Sequence, residues 1–599
     1  MSLDSSTTLE GQLALYEDLV LDMKAEVLQA YNLRCAVTEG ECAFLHLDAC
    51  RSRFPSGTCT QDEILDICAD EDCGMVRDYE NPTVRLPESV ANGDNLNPTD
   101  EDVIETMCYS VLLNKPLRDL YDVASQSGSN AVYFGAWTGV FRYFPGIAQD
   151  FCGQYDPRIR PWYVAASSGP KDVVIVLDVS GSMSQYDRLE LAKEAAETVL
   201  NTLNVDSFVS VVVFSESARA LLANTTTLVR ATDDNVDELV SLVQDLDFDL
   251  ANPGTNFGSA FEITFDILAA SREAEEASSN CQTAVVFLTD GDTNVGLTTE
   301  ETIALIDERN ADIGAQVFSF SLGTNADKVT SKQIACDTGG IYEHVDDGGD
   351  LSQAMAFFYR YYAIGLGENQ DFVAVTDIYA FATGGDLGFT VAAPVYDTNS
   401  STSSQPVFLG VVAMDFKVET LVAQGFTADE IRAALQQENE NCPELSLTEC
   451  QRQVFRGSIS ALSVCDTTIT SNCSAVGSLE PVRCMNESEY PSDLWQNTDF
   501  AGLDYLERTC CGSNYSSTYA EPTCVITAAS SSSSGFSATG VGIGVSVAAV
   551  AAVVLTLIFV HRRRRQKQSP KRDRHFTQAE AVGPPENAPR DLAPVEIRQ

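Results

Sequence analysis

Five oxygen-bearing residues are spaced so that they could share one hard cation. The run DVVIVLD ends on Asp178, and the chain continues Val179, Ser180, Gly181, Ser182, Met183, a D-x-S-x-S pattern. A second apolar run, TAVVFLTD, ends on Asp290 and is followed by Gly291 and Asp292. Between them the loop Asn252, Pro253, Gly254, Thr255, Asn256 offers a further hydroxyl, that of Thr255. Carboxylate and hydroxyl oxygens are the donors that magnesium and calcium take. Too few protein ligands are present to close an octahedron, so water or another molecule's carboxylate would complete it. Ser and Asp also cap helices and turns. That alternative accounts for Asp178 to Ser182 but not for Thr255 and Asp290.

The same residues read poorly as a catalytic centre. No G-x-S-x-G elbow surrounds Ser180 or Ser182. His344 forms no inferable triad with them, and Asp178 with Asp290 as an acid/base pair has no evident catalytic partner. No enzymatic activity is expected.

Alternating elements must position this set. Strands are expected at 172–178, 208–214, 283–290 and 317–323, with helical segments between, such as 187–203 and 257–272. Buried apolar strands alternating with amphipathic helices predict an α/β layer, a parallel sheet covered on both faces. Ligands of open α/β sheets gather at the carboxyl ends of the strands, where Asp178 and Asp290 fall. Residues 9–31 have helical periodicity. Short β-prone runs broken by Gly lie at 131–147 (AVYFGAWTGVFRYFPGI), and β signals return over about 371–416, in LGFTVAAPVYD and PVFLGVVAMDF.

Composition sets the surroundings. The 599 residues hold 37 Lys/Arg and 87 Asp/Glu, a net charge of −50, which excludes a general nucleic-acid binder because phosphate would be repelled. The acid excess suits an extracellular protein that meets divalent cations, and it also simply keeps a large protein soluble. Residues 540–560, GVGIGVSVAAVAAVVLTLIFV, carry no charge and have the length of one bilayer span. His561 and Arg562 to Arg565 follow, marking the cytoplasmic end. The expected topology is single-pass at the plasma membrane, with the N-terminal body outside. The sequons at Asn224, Asn399, Asn472, Asn486 and Asn514 all precede the span. The start, MSLDSSTTLEGQLALYEDLV, has no apolar core and is not a signal peptide, so the true start is expected upstream. Eighteen cysteines form three even groups: Cys35 to Cys152, the pair Cys281 and Cys336, and Cys442 to Cys524. Pairing within each group, in an oxidising compartment, is expected.

The oxygen pattern resembles the metal-ion-dependent adhesion site (MIDAS) of von Willebrand factor A (VWA) domains, with Asp178, Ser180, Ser182, Thr255 and Asp290 at its five positions. That resemblance implies a divalent cation, magnesium first, with calcium or manganese as alternatives. The hydroxyls would coordinate directly, and the aspartates directly or through water. The segment DPRIRPWYVAASSGPKDVVIVLDVSGSM, residues 156–183, resembles the junction found in alpha-2/delta auxiliary subunits of voltage-gated calcium channels. VYFGAWTGVFRYFPG, LGFTVAAPVYD and PVFLGVVAMDF resemble parts of the Cache domain that flanks the VWA domain there. The implied fold is a Rossmann-like VWA domain inserted in a Cache-like α+β domain, plus a Cys-rich region and one transmembrane helix. On that reading residues 1–167 hold the N-terminal helix, a Cys-rich stretch and the first part of the Cache-like domain. Residues 168–362 form the VWA domain and 363–420 the second Cache part. A Cys-rich region at 421–530, a Ser-rich stalk at 531–539, the span at 540–560 and a basic tail at 561–599 follow.

The resemblance implies a channel auxiliary that grips a calcium-channel pore subunit through the bridging metal. Its Cache pocket would bind a free amino acid through Arg160, Trp162 and Tyr163, with Asp377 or Asp386 facing the ligand's amine. A MIDAS-type adhesion receptor and a Cache-type amino-acid receptor are the alternatives. The chain departs from the family in its shorter length, its apparent lack of a full second Cache region, and Ile159 where a third basic residue is common.

Overall fold

The computed structural model describes residues 8–32, 77–79, 82–85, 101–147 and 156–458, except 224, 275, 327, 349–350, 382–385, 399–405 and 440–441, together with 508–510. The five sequons, the Cys-rich stretch up to residue 73, the expected span at 540–560 and the basic tail lie outside the described residues. Among those described, no helix is long and apolar enough to cross a membrane.

In chain order the principal elements begin with α1 (Leu9–Asn32), α2 (Glu101–Ser110), α3 (Asn114–Ala124), β1 (Ser129–Ala136), β2 (Phe141–Phe144) and α4 (Pro161–Ser168). An alternating series follows: β3 (Lys171–Asp178), α5 (Arg188–Thr202), β4 (Phe208–Phe214), α6 (Asp233–Gln244), α7 (Phe257–Glu273), β5 (Gln282–Thr289), α8 (Thr299–Asn310), β6 (Gln316–Leu322), α9 (Val329–Asp337) and β7 (Tyr342–Val345). Then come α10 (Leu351–Gly365), β8 (Leu387–Asp397), β9 (Val407–Lys417), α11 (Val418–Ala423), α12 (Ala428–Glu438) and α13 (Glu449–Ser458).

The alternating series makes a sheet in the order β7-β6-β5-β3-β4, all parallel, with the short antiparallel strand Ala218–Ala220 on the β4 edge. A strand covered on both faces must be apolar at successive positions, and β3 is. Val173, Ile175 and Leu177 pack with residues of α5, α6 and α10, whereas Val174 and Val176 pack with α7, α8 and α9. Helix starts are fixed locally: Thr298 and Glu301 form a capping box at α8, and Asn256 caps α7 by accepting from Ser259 N.

Strands from both sides of this series share a second, largely antiparallel sheet. β8 pairs with β9, β9 with β1 and β1 with β2, so residues before and after the α/β layer complete one sheet. Strand periodicity splits its side chains into two sets. Phe134, Phe389, Val412 and Phe416 pack with Tyr16, Val20 and Met23 of α1, and Tyr16 stacks on Phe416 at 3.8 Å. Tyr133, Ala392, Val411 and Ala413 pack with Trp162 and Tyr163 of α4 and with Tyr359 and Tyr362 of α10. That second set is continuous with the α/β core, so α4 and α10 weld the two sheets together.

The cysteines correct one expectation. Cys281 is bonded to Cys442, with Cα atoms 5.3 Å apart, across the groups rather than within one. The cause is docking of the segment after α12. Asn369 Nδ2 donates to Glu444 O at 2.8 Å, and Ser446 N donates to Gly365 O at 2.7 Å. Gln282 Nε2 donates to Pro443 O at 3.4 Å, holding the segment beside the start of β5. Cys336 and Cys450 are also disulfide-bonded.

Candidate metal site

Asp178 is the last residue of β3, between β5 and β4, and is fully buried. Its Oδ1 accepts from Ser180 N at 2.8 Å and its Oδ2 from Thr289 Oγ1 at 2.7 Å. Burial nevertheless pushes its carboxyl up to about 6, and the neighbouring Asp290 pushes the same way. Ser180 Oγ and Ser182 Oγ lie 3.2 Å apart, and Ser182 Oγ donates to Asp290 Oδ1 at 2.7 Å. Thr255 is buried, and its backbone interlocks with the loop after β5. Thr255 N donates to Asn294 Oδ1 at 2.9 Å, while Asn294 N donates back to Thr255 O at 2.9 Å.

Three loops therefore meet at one sheet edge. Gly181 N donates to Pro253 O at 3.1 Å, and a Cβ on Gly181 would lie 2.8 Å from Pro253 Cβ. Only glycine lets the two loops approach so closely. Next to Asp290, a Cβ on Gly291 would have Thr255 Oγ1 as its only neighbour within 4 Å, at 3.9 Å. The contacts thus join Asp178, Ser180, Ser182 and Asp290 in a continuous chain and bring the Thr255 loop against its flank. The donor set is two carboxylates and three hydroxyls, with no thiolate or imidazole. That chemistry fits a hard cation.

Sequence reasoning missed Arg188. Its Nη1 donates to Asp290 Oδ2 at 2.8 Å and its Nε to Asp347 Oδ1 at 2.9 Å. The Arg188 and Asp290 side chains are 7% and 0% exposed. The guanidinium is threaded past Gly323, whose φ of +102° favours glycine and whose Cβ would fall 2.2 Å from Arg188 Nε. Arg188 holds Asp347 below the usual carboxylate range. One oxygen of Asp290 is therefore committed to a fixed cation, and the other faces Ser182. His344 stands apart on β7, contacting Ser321 O and Asp346 at 3.1 Å each.

The second candidate set lies on the antiparallel sheet. Trp162 and Tyr163 are buried in α4, and the Trp162 ring meets Tyr133 edge-on at 4.8 Å. Arg160, half-buried, is the residue before Pro161, which opens α4. Asp377 and Asp386 are engaged elsewhere: Asp377 pairs with Arg432 at 3.5 Å and Asp386 with Lys417 at 2.5 Å. The carboxylate tied to the cluster is Asp415, buried on β9, which accepts from Tyr133 Oη at 2.5 Å and Thr390 Oγ1 at 2.7 Å. Burial and this carboxylate push the Tyr133 phenol well above its ordinary value, so it remains a donor.

A family model for the von Willebrand factor type A domain matches residues 173–292. The human voltage-dependent calcium channel subunit alpha-2/delta-4 is 28% identical over 357 residues, covering 57% of this chain and 30% of that protein. The rat subunit alpha-2/delta-3 is 28% identical over 354 residues, 56% of this chain and 32% of that one. The mouse subunit alpha-2/delta-2 is 30% identical over 294 residues, 47% and 24%. The matches span about a third or less of these relatives' length. Among solved structures, a von Willebrand factor type A protein from Catenulispora acidiphila has 18% identity and a TM-score of 0.28, covering 42% of this chain and 58% of that one. Proximal thread matrix protein 1 from the mussel byssus, with a zinc-occupied MIDAS motif, has 18% identity and a TM-score of 0.26, covering 33% and 46%. At these scores the structural likenesses carry no argument here. The chain thus carries a VWA-type segment at 173–292 and, over about half its length, is similar to the alpha-2/delta subunits of calcium channels.

Proposed function

We propose that the chain is a binding protein, not a catalyst, which uses a divalent cation at the VWA rim to grip a carboxylate on a membrane-protein partner. The observation that carries this reading is the hydrogen-bonded run Asp178–Ser180–Ser182–Asp290, with Thr255 on its flank, at the carboxyl edge of a parallel sheet. Ser180, Ser182 and Thr255 would supply neutral oxygens, and Asp178 the charge. Asp290, held by Arg188, would act through Ser182 or water. A cation held mainly by neutral oxygens keeps much of its charge for an incoming anion. By likeness to the alpha-2/delta subunits, we take a calcium-channel pore subunit as the leading partner and an extracellular matrix protein as the alternative. The preferred cation is Mg2+, with Ca2+ or Mn2+ as substitutes.

Isothermal titration of the protein with Mg2+ and Ca2+ tests the site. Saturable binding in the wild type and its loss in Asp178→Ala is expected, and equal affinities would refute it. Crosslinking and mass spectrometry from native membranes then separates channel from matrix partners.

A second reading is favoured by one observation. Asp415, Tyr133, Thr390 and Trp162 converge on the antiparallel sheet, and Arg160 lies two residues before Trp162 in the chain. We propose a free amino acid as ligand there, its amine on Asp415 and its carboxylate on Arg160. A thermal shift with free amino acids, lost in Asp415→Asn, is expected. No shift with any of the twenty would end it.

A further inference from the structure

We infer that the metal rim selects a protein loop whose carboxylate is flanked by apolar side chains, and that Tyr186, Leu250, Val295 and Val329 make the selection. This rests on the metal-dependent reading above. Eight large hydrophobic side chains are exposed among the described residues, and these four are 68%, 67%, 36% and 47% exposed. Scattered singly, such residues need no explanation. Tyr186, Leu250 and Val295 instead occupy three different connections at the carboxyl edge of the parallel sheet, and Val329 opens α9 there.

Each stands close to a residue of the metal set. The Arg188 guanidinium lies over the Tyr186 ring at 5.5 Å and pairs with Asp290 through Nη1. Leu250 follows Asp249, whose N–H donates to Val179 O at 2.7 Å, next to Asp178. Val295 N donates to Thr255 O at 3.2 Å. Val329 precedes Thr330, whose hydroxyl donates to Asp292 at 2.8 Å, two residues beyond Asp290. Exposed apolar side chains gathered at one edge and rimmed by polar residues are the kind of surface on which proteins dock.

The occupant follows from complementarity. On that reading the cation would take one carboxylate from the partner. The rim also carries the acidic Asp187, Glu216, Asp249 and Asp292, so a second acid on the partner would be repelled. Apolar neighbours of that single acid meet the four exposed side chains instead. Their contribution is insensitive to salt, unlike that of basic neighbours.

Disulfide-cyclised peptides with Leu-Asp-Phe, Ser-Asp-Ser or Lys-Asp-Lys at the apex, offered to the full chain in detergent micelles with Mg2+, test this. At 0.5 M salt the Leu-Asp-Phe peptide is expected to bind at least tenfold tighter than either other. The double variant Leu250→Ser, Val329→Ser should reduce that preference below threefold while titration of Mg2+ alone stays unchanged. Mg2+ binding without a flank preference, a preference that survives the double variant, or Mg2+-dependent self-association occupying this face would each overturn the inference. Absence of Mg2+ binding itself would overturn the metal reading as well.

Discussion

Replacing Asp178 by Asn should stabilise the metal-free protein while destroying its metal binding. The carboxyl is fully buried, and its value rises from 3.8 to about 6. About two units at roughly 1.4 kcal/mol each put the cost of carrying this charge unmetallated at about 3 kcal/mol at neutral pH. Asn keeps the shape, and its Oδ1 still accepts from Ser180 N. Thr289, a donor to Asp178 now, can turn its hydroxyl to accept from the new amide. A carboxyl raised in the folded state binds more protons folded than unfolded between pH 4 and 6. Its penalty is therefore absent below about pH 4 and complete above about pH 6. In EDTA at pH 7.5, the variant should melt about 6 °C above wild type, and the two should converge by pH 4. Mg2+ at a hundredfold excess over Kd adds about 2.7 kcal/mol to wild type alone, bringing it level. Differential scanning calorimetry across pH 4 to 8, with and without Mg2+, is the assay. A variant that melts below wild type in EDTA, or a difference constant with pH, would refute the reasoning.

Three further outcomes are expected. Arg188→Met leaves Asp290 as an uncompensated buried charge, so the metal-free protein should lose about 3 kcal/mol, and the melting shift on adding Mg2+ should exceed that of wild type. Lys171, buried at the start of β3, is lowered to about 7 by burial. The unfolded chain then binds more protons above pH 7, so stability should rise from pH 7 towards 10, and Lys171→Met should abolish that rise in urea titrations. Cys442→Ser opens a closure 161 residues long and should cost up to about 5 kcal/mol in chemical denaturation, with Cys281→Ser giving the same loss and the double variant no more.

Much of the α/β layer was legible because both signals coincide there. β4 falls at 208–214, and α5 lies one residue inside the expected 187–203 at each end. Runs such as VVIVL can be apolar at consecutive positions only between two helical layers, and their ends then dictate where Asp178 and Asp290 sit. Arg188 was not legible, because its partners Asp290 and Asp347 are 102 and 159 residues away and no local pattern links them. Asp415 left a trace that went unread: a lone acid inside VFLGVVAMDFK must find buried donors. The Cys281–Cys442 bond left none, since even grouping says nothing about which segments dock.

The antiparallel sheet has a consequence for synthesis. Phe134 on β1 pairs with Val412 on β9, 278 positions later. At roughly 5–20 residues per second, roughly 15–60 s pass before that partner exists. The α/β layer with the candidate metal site, whose last strand ends at Val345, is translated before β9. A nascent chain halted after Val345 but before β9 thus offers the whole α/β layer with an open strand edge on β1, a ready template for aggregation.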